Sequence, residues 1–171
     1  MKKRLAVFLT LSMMVIGWTL IYFPNANLAN VIVDKEIREE INYGDSKIVF
    51  SSDSKYIYGE VYKKGILGWK LTSSSSPAVS DSDHQHIEHV FRTSNISSIS
   101  IEDQGFLYGY VNENAVKTIC FQTDSIEYRF KVNEDFWVIP VNETDLDFID
   151  EQFSIILKNG DEFYYPFNEI E

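Results

Sequence analysis

The chain has 171 residues, 44% hydrophobic and 15% aromatic, with 26 acidic residues, 15 basic residues and one cysteine. This composition provides one hydrophobic core beside a terminal apolar segment, which excludes a disordered stalk, and a single cysteine excludes an internal disulfide. The acidic excess excludes nucleic acid as a partner, because both surfaces carry negative charge.

The first 23 residues predict a membrane anchor. A basic stub, residues 1–4, precedes an uncharged run over residues 5–23. At about 1.5 Å per residue this run is roughly 28 Å long, close to the thickness of a bilayer's hydrocarbon core. It is longer than the apolar region of a signal peptide, and "PNANLAN" at 24–30 lacks the paired small residues of a cleavage site. We therefore predict an uncleaved signal anchor, with secretion after signal cleavage as the alternative.

The charge distribution predicts the orientation of this anchor. Basic residues next to a membrane span stay in the cytoplasm, so the C-terminal domain of a single-pass protein of the cell membrane would lie outside. Beyond residue 4 the sequence has 12 basic and 26 acidic residues, a net charge of −14. Cationic partners or metal ions suit such a surface, and a solvated, soluble surface is the simpler interpretation.

Residues 24–46 are interpreted as a juxtamembrane linker with a short helix. Val33, Ile37 and Ile41 recur every four residues, which is the spacing of one helix face, and Gly44 ends the pattern. Such a helix would act as a spacer or as a cap on the domain that follows.

From residue 47 to residue 171 the pattern predicts a β domain. Residues 46–52 and 55–72 read as strands with alternating apolar positions, and turns are expected near Ser52 and Gly65. Residues 73–85, "SSSSPAVSDSDHQ", are rich in serine and aspartate and predict a long mobile loop.

The second half of the domain is more regular. In residues 126–132 the apolar side chains alternate with Glu127, Arg129 and Lys131, and Asn159-Gly160 is a strong hairpin signal. Together with the short strands this predicts an antiparallel β-sandwich. The expected strands cover residues 97–101, 106–111, 116–121, 126–132, 136–141, 153–158 and 162–167.

Two stretches with a glycine inside a strand resemble each other. "IYGEV" at 57–61 and "LYGYV" at 107–111 share a Tyr-Gly pair and a valine, but the residues downstream of the two stretches differ. We therefore predict one domain rather than two repeats. A glycine inside a strand marks a bulge or a close approach beneath an aromatic ring, and this is expected at Gly59 and Gly109.

The sequence from residue 98 to residue 167 resembles small anchored or secreted proteins of Gram-positive bacteria. The resemblance is carried by "GFLYGYVNENAVKTICF", "EYRFKVNEDFWVIPV" and "LKNGDEFYYPF". It implies an immunoglobulin-like sandwich at the bacterial cell surface, and it implies no functional residue, because the matching motifs are structural.

All three histidines fall in "DSDHQHIEH", residues 81–89. Imidazole and carboxylate groups are the ligands that Zn²⁺ prefers, so His84, His86, Glu88 and His89 are the candidate metal ligands. Their spacing matches no recognised zinc motif, and a solvated polar loop is the alternative.

No motif of nucleophilic or phosphate chemistry is present: the sequence has neither Gly-x-Ser-x-Gly nor a phosphate-binding glycine loop. We predict a non-catalytic interaction module of the cell envelope that has no cofactor and contacts an envelope protein. The alternative is a metal-binding protein or metal-dependent hydrolase that uses residues 81–89.

Overall fold

The structure, a computed structural model, describes residues 2–75, 78–79, 96–111, 113–124, 126–147 and 152–164. Helix α1 (Lys2–Asn25) contains the segment Ala6–Asn25, which has a mean hydropathy of 2.0 and lies outside the packed core. This helix is long and apolar enough to cross a membrane. A single turn of helix, α2 (Leu28–Val31), follows it, and the Asn27 side chain accepts a hydrogen bond from the Ala29 N–H at its start.

The first sheet is antiparallel and follows the chain order. Its first four strands pair in chain order. The fifth strand pairs with the third strand, next to the stretch that pairs with the fourth. The strands are β1 (Glu36–Tyr43), β2 (Ser46–Ser52), β3 (Tyr56–Gly65), β4 (Gly68–Ser74) and β5 (Ala78–Val79).

The remaining strands form two further antiparallel sheets. The second sheet has the order β10-β7-β6 and the third has the order β12-β11-β8-β9. A 3-10 helix, η1 (Glu143–Asp145), follows β10. The strands are β6 (Ile96–Ile101), β7 (Gln104–Tyr110), β8 (Val116–Gln122), β9 (Glu127–Lys131), β10 (Phe136–Asn142), β11 (Phe153–Leu157) and β12 (Glu162–Tyr164).

The second sheet lies between the other two, and its strands β7 and β10 are largely buried on both faces. Phe106 and Tyr108 pack into a core shared with the first sheet, whereas Leu107 packs into a core shared with the third sheet. Successive side chains of a strand point to opposite faces, so a middle layer needs apolar residues at every position. The near-continuous apolar runs in β7 and β10 meet this need.

The outer face of the first sheet is covered by α2. Leu28 and Ile32 pack on Val49 and Tyr62, and all four side chains are buried. This short helix therefore caps the domain, and it lies before the segment in which the sequence pattern predicted a helix.

The helical spacing of Val33, Ile37 and Ile41 is misleading, because strand β1 occupies this region. Ile37 packs on the outer face of the first sheet and Ile41 on its inner face. A β-bulge between Ile37 and Glu39 inserts one residue and reverses the facing of the strand. The β domain consequently begins before residue 47.

The antiparallel β domain behind an N-terminal apolar helix is confirmed. Each of the seven strands expected in the second half is present, although residues 165–167 of the last one lie outside the described residues. The Asn159-Gly160 turn joins β11 to β12, with Gly160 at φ +100°. The expected loop 73–85 is partly wrong: β4 extends to Ser74, and Ala78 is fully buried beside β3. Its small apolar side chain fits the core between the first two sheets. Residues 80–85 lie outside the described residues.

Candidate functional site

Three edge strands line one side of the stacked sheets. Among the described strands, β1, β10 and β9 each have a single hydrogen-bonded neighbour and end the first, second and third sheets. Arg38 of β1 reaches Asp135 at the start of β10, and β9 contacts β10. The three edges therefore lie side by side.

A cleft of about 460 Å³ opens where these edges meet. This volume is within the range of natural ligand sites. Its walls are mainly apolar, and Glu39 is the one ionisable carboxylate among its lining residues. The cleft is lined by Glu39, Ile41, Asn42, Tyr43, Gln104, Phe106, Phe130, Val138 and Pro140.

The bulge in β1 turns Glu39 toward the cleft. Glu39 pairs with Phe50, whose ring is on the inner face of the first sheet, while the next residue, Glu40, pairs with Val49 on the outer face. Glu40 instead bonds Lys47, with 2.5 Å between Lys47 Nζ and Glu40 Oε2. The side chains of these two adjacent glutamates therefore lie on opposite faces of the first sheet.

Arg38, the bulged residue, ties β1 to the second sheet. Its guanidinium donates a hydrogen bond to Asp135 and lies 3.7 Å from Glu134 Oε2. It also lies 5.8 Å from the ring centroid of Phe136. Burial lowers the pKa of Arg38, but the bond to Asp135 and the surrounding carboxylates outweigh it and raise the pKa. This cation holds one wall of the cleft in place.

Glu39 is one of the residues that line the cleft, and its side chain is exposed to solvent. Partial burial raises the pKa of its carboxyl group, because the charged form loses hydration. A carboxylate in these surroundings gains from a ligand that brings a cation or a hydrogen-bond donor.

A cleft with apolar walls and one carboxylate suits a ligand whose apolar group carries an amine or another hydrogen-bond donor. No protein-family model, curated protein or solved structure matches the chain. The proposed function therefore rests on the geometry of the chain's own residues.

The predicted metal ligands His84, His86, Glu88 and His89 lie outside the described residues, so the zinc site stays a prediction. Within the part of the chain that the structure describes, no three histidine, cysteine, aspartate or glutamate side chains come together in a way that could hold a metal ion.

A second polar cluster lies on the outer face of the first sheet. Lys35 Nζ is 2.8 Å from Glu60 Oε1, and the Tyr62 hydroxyl donates to Glu60 Oε2 at 3.0 Å. Lys35 also lies 3.8 Å from the ring centroid of Tyr58, whose hydroxyl donates to Asp53. That bond raises the pKa of Tyr58 to about 12, and burial followed by the charge of Glu60 raises the pKa of Tyr62. The charges in this cluster are paired internally, which indicates a structural role.

Sequence reasoning missed the cleft and Glu39. The segment "EIREEINY" contains four charged residues, and no local pattern separates Glu39 from its neighbours. If one residue of this segment is treated as a bulge, the strand pattern places Glu39 and Ile41 on one face of the sheet and Ile37 on the other. This was the signal in the sequence that could have indicated the orientation of Glu39.

Proposed function

We propose that this protein is a membrane-anchored, extracytoplasmic interaction module that binds an extended segment of an envelope protein in the cleft between β1, β10 and β9. The observation that carries the proposal is the cleft itself, where apolar walls and the Glu39 carboxylate meet beside open strand edges. The module is non-catalytic and works by recognition.

The open edges favour an extended peptide as the ligand. An exposed edge strand offers unpaired backbone groups to another chain, and neighbouring pockets then select side chains. Pro140 in β10 limits pairing along that edge, because proline donates no backbone hydrogen bond. Strand β1 is therefore the edge proposed to receive the segment, with an apolar side chain entering the cleft and a basic group meeting Glu39.

The location is supported by the N-terminal helix and by the charge pattern. The segment Ala6–Asn25 of α1 has the length and apolar character of a span, and the basic stub precedes this segment. In this proposal the second and third sheets form the immunoglobulin-like sandwich that the sequence resemblance implies, and the first sheet adds the binding edge. A secreted form after signal cleavage would keep the same cleft.

The test is photocrosslinking in the organism that produces the chain. A photoreactive phenylalanine analogue replaces Phe130 in the cleft, and in a parallel strain it replaces Tyr164, an exposed aromatic residue of β12. We expect a discrete crosslinked envelope protein from position 130 and none from position 164.

The matched variants are Glu39→Lys and Glu40→Lys. They place the same charge on adjacent residues that face opposite sides of the first sheet. Loss of the crosslink with Glu39→Lys and its retention with Glu40→Lys would support the cleft. Equal crosslinking in both variants would rule it out as the recognition site.

Three histidines within residues 84–89 favour the second candidate function, metal binding or metal-dependent hydrolysis. Titration of the full chain in detergent micelles with Zn²⁺ tests it, with the triple variant His84→Ala, His86→Ala, His89→Ala as control. Submicromolar one-to-one binding that the variant loses would establish the site. Equal binding by both proteins would dismiss it.

A further inference from the structure

The hairpin between β3 and β4 lies along the C-terminal turns of α1. The Trp18 indole N–H donates to the Ile66 carbonyl at 3.2 Å, across the tip of the hairpin. Directly after the turn, Gly68 pairs with Gly65, adopts φ +91° and passes so close to Asn25 that a Cβ atom on residue 68 would lie 2.4 Å from the Asn25 carbonyl oxygen. The hairpin therefore runs back along the helix from Asn25 to Trp18.

This direction carries the tip toward the interior of the apolar segment. Trp18 lies seven residues before Asn25, so the two are about 10 Å apart along the helix axis. If the segment Ala6–Asn25 spans a bilayer, the tip of the hairpin is level with the outer leaflet rather than with the surrounding water.

The tip has the composition of a membrane contact. Ile66 is 83% exposed and Leu67 is 50% exposed, so α1 does not cover them. Trp69 follows in the same hairpin, and the Nζ atoms of Lys47 and Lys64 each lie 5.7 Å from its ring centroid. Apolar tips flanked by tryptophan and lysine are typical of segments that sit at the boundary of headgroups and acyl chains.

The hairpin's own sequence is basic, in contrast to the acidic outer domain, although Asp45 Oδ2 of the preceding turn lies 3.2 Å from Lys63 Nζ. From residue 61 to residue 80 the sequence has three lysines and no acidic residue, although the chain as a whole carries a net charge of −11. Anionic lipid headgroups attract such a local basic patch even when the whole domain is acidic. The three lysines are Lys63, Lys64 and Lys70.

We propose that the β3–β4 hairpin is a second membrane contact, with Ile66 and Leu67 inserted in the outer leaflet and the flanking lysines among the headgroups. This inference rests on the proposed function, since it requires α1 to span the bilayer. Two attachments, α1 and the hairpin, fix the orientation of the domain, so that the first sheet stands at the membrane.

The test measures the depth of single labels in vesicles of phosphatidylethanolamine and phosphatidylglycerol. The full chain carries Cys120→Ser together with one of Ile66→Cys, Met14→Cys or Ile126→Cys, each labelled with an environment-sensitive fluorophore. Nitroxide groups at shallow or deep positions of the acyl chains quench labels that lie in the bilayer. Met14 reports the span, and Ile126, an exposed isoleucine before β9, is the control for the hairpin.

We expect the label at position 66 to be quenched by shallow nitroxides at least about threefold more strongly than the label at position 126, and the label at position 14 to be quenched by deep nitroxides. Quenching at position 14 with equal, weak quenching at positions 66 and 126 would overturn the hairpin contact and leave the anchor in place. No quenching at position 14 would overturn the anchor, and the hairpin contact with it.

Discussion

The ring of Tyr108 occupies the space that a side chain at Gly59 would need. A Cβ atom at residue 59 would lie 2.8 Å from Tyr108 Cε1, and the Gly59 N–H donates to the Tyr108 hydroxyl at 2.9 Å. Along β3, this bond lies between the residues that pair with β4 and the residues that pair with β5. Ser75 also forms a hydrogen bond with the same hydroxyl. One tyrosine of the second sheet thus completes the hydrogen bonding of the first.

Gly59→Ala is expected to destabilise the protein by about 2 kcal/mol, because the added methyl group overpacks a buried contact. Guanidinium unfolding of the full chain in detergent micelles, followed by circular dichroism, measures the change. Gly65→Ala, at the end of the same strand, is the control. Its Cβ would meet no atom closer than 4.0 Å, so a change within about 0.5 kcal/mol is expected. Equal effects of the two variants would contradict the close approach.

Tyr108→Phe keeps the ring and removes the hydroxyl that accepts from Gly59. We expect the free energy of unfolding to fall by about 1–3 kcal/mol, since the buried Gly59 N–H is left without this acceptor. The same unfolding measurement applies, with Tyr164→Phe as control, because Tyr164 is 53% exposed. A loss no greater than that of the control would show that the hydroxyl contributes nothing to stability.

Arg38→Gln is expected to weaken the attachment of β1 to the second sheet. The Arg38 side chain is 18% exposed and bonds Asp135, so its removal should cost about 1 kcal/mol, less at high salt. Arg129→Gln is the comparison, because Arg129 is 62% exposed and bonds Glu127 at 2.6 Å. Its loss should cost less than about 0.5 kcal/mol. If the two substitutions lower the free energy of unfolding equally, and neither effect depends on salt, an electrostatic role for Arg38 is refuted.

Glu39→Gln is expected to stabilise the folded protein slightly at neutral pH. Burial raises the pKa of Glu39, so the folded state holds the proton more tightly than the unfolded state does. The stability that this group contributes is present below its unfolded pKa, about 4.3, and is lost as pH rises through the folded value. The partly exposed side chain limits the gain to a few tenths of a kcal/mol.

Unfolding curves at pH 7 and below about pH 4 check this sign, because the two proteins should become equally stable in acid. Carbon NMR titration of the Glu39 carboxyl gives the folded pKa directly. A value at or below 4.3 would contradict the desolvated position of this group.

Local patterns predicted most of the β-strands. In residues 126–132 the alternation places Tyr128 and Phe130 toward the core, as the structure confirms, and Asn159-Gly160 forms its hairpin. These signals are strong because a half-buried strand and a short turn depend on neighbours within a few positions. Ile126 departs from the pattern and is 38% exposed, since it lies just before β9 begins.

The bulge in β1 shows why the cleft could not be predicted. Ile37 and Ile41 have the spacing of a helix, yet they lie on opposite faces of one sheet. Only pairing with β2 reveals the inserted residue, Arg38, and only the second sheet supplies the partner that holds it. Both facts depend on residues distant in the chain.

The sequence by itself determined the apolar helix, most of the strands and the expectation of a close approach at Gly59. Tertiary structure decided that Tyr108 covers Gly59, that three sheets stack with one buried on both faces, and that β1, β10 and β9 meet at a cleft. The physical reason is that periodicity reports which face of an element is apolar, whereas the element that covers this face is chosen by packing among all the faces available.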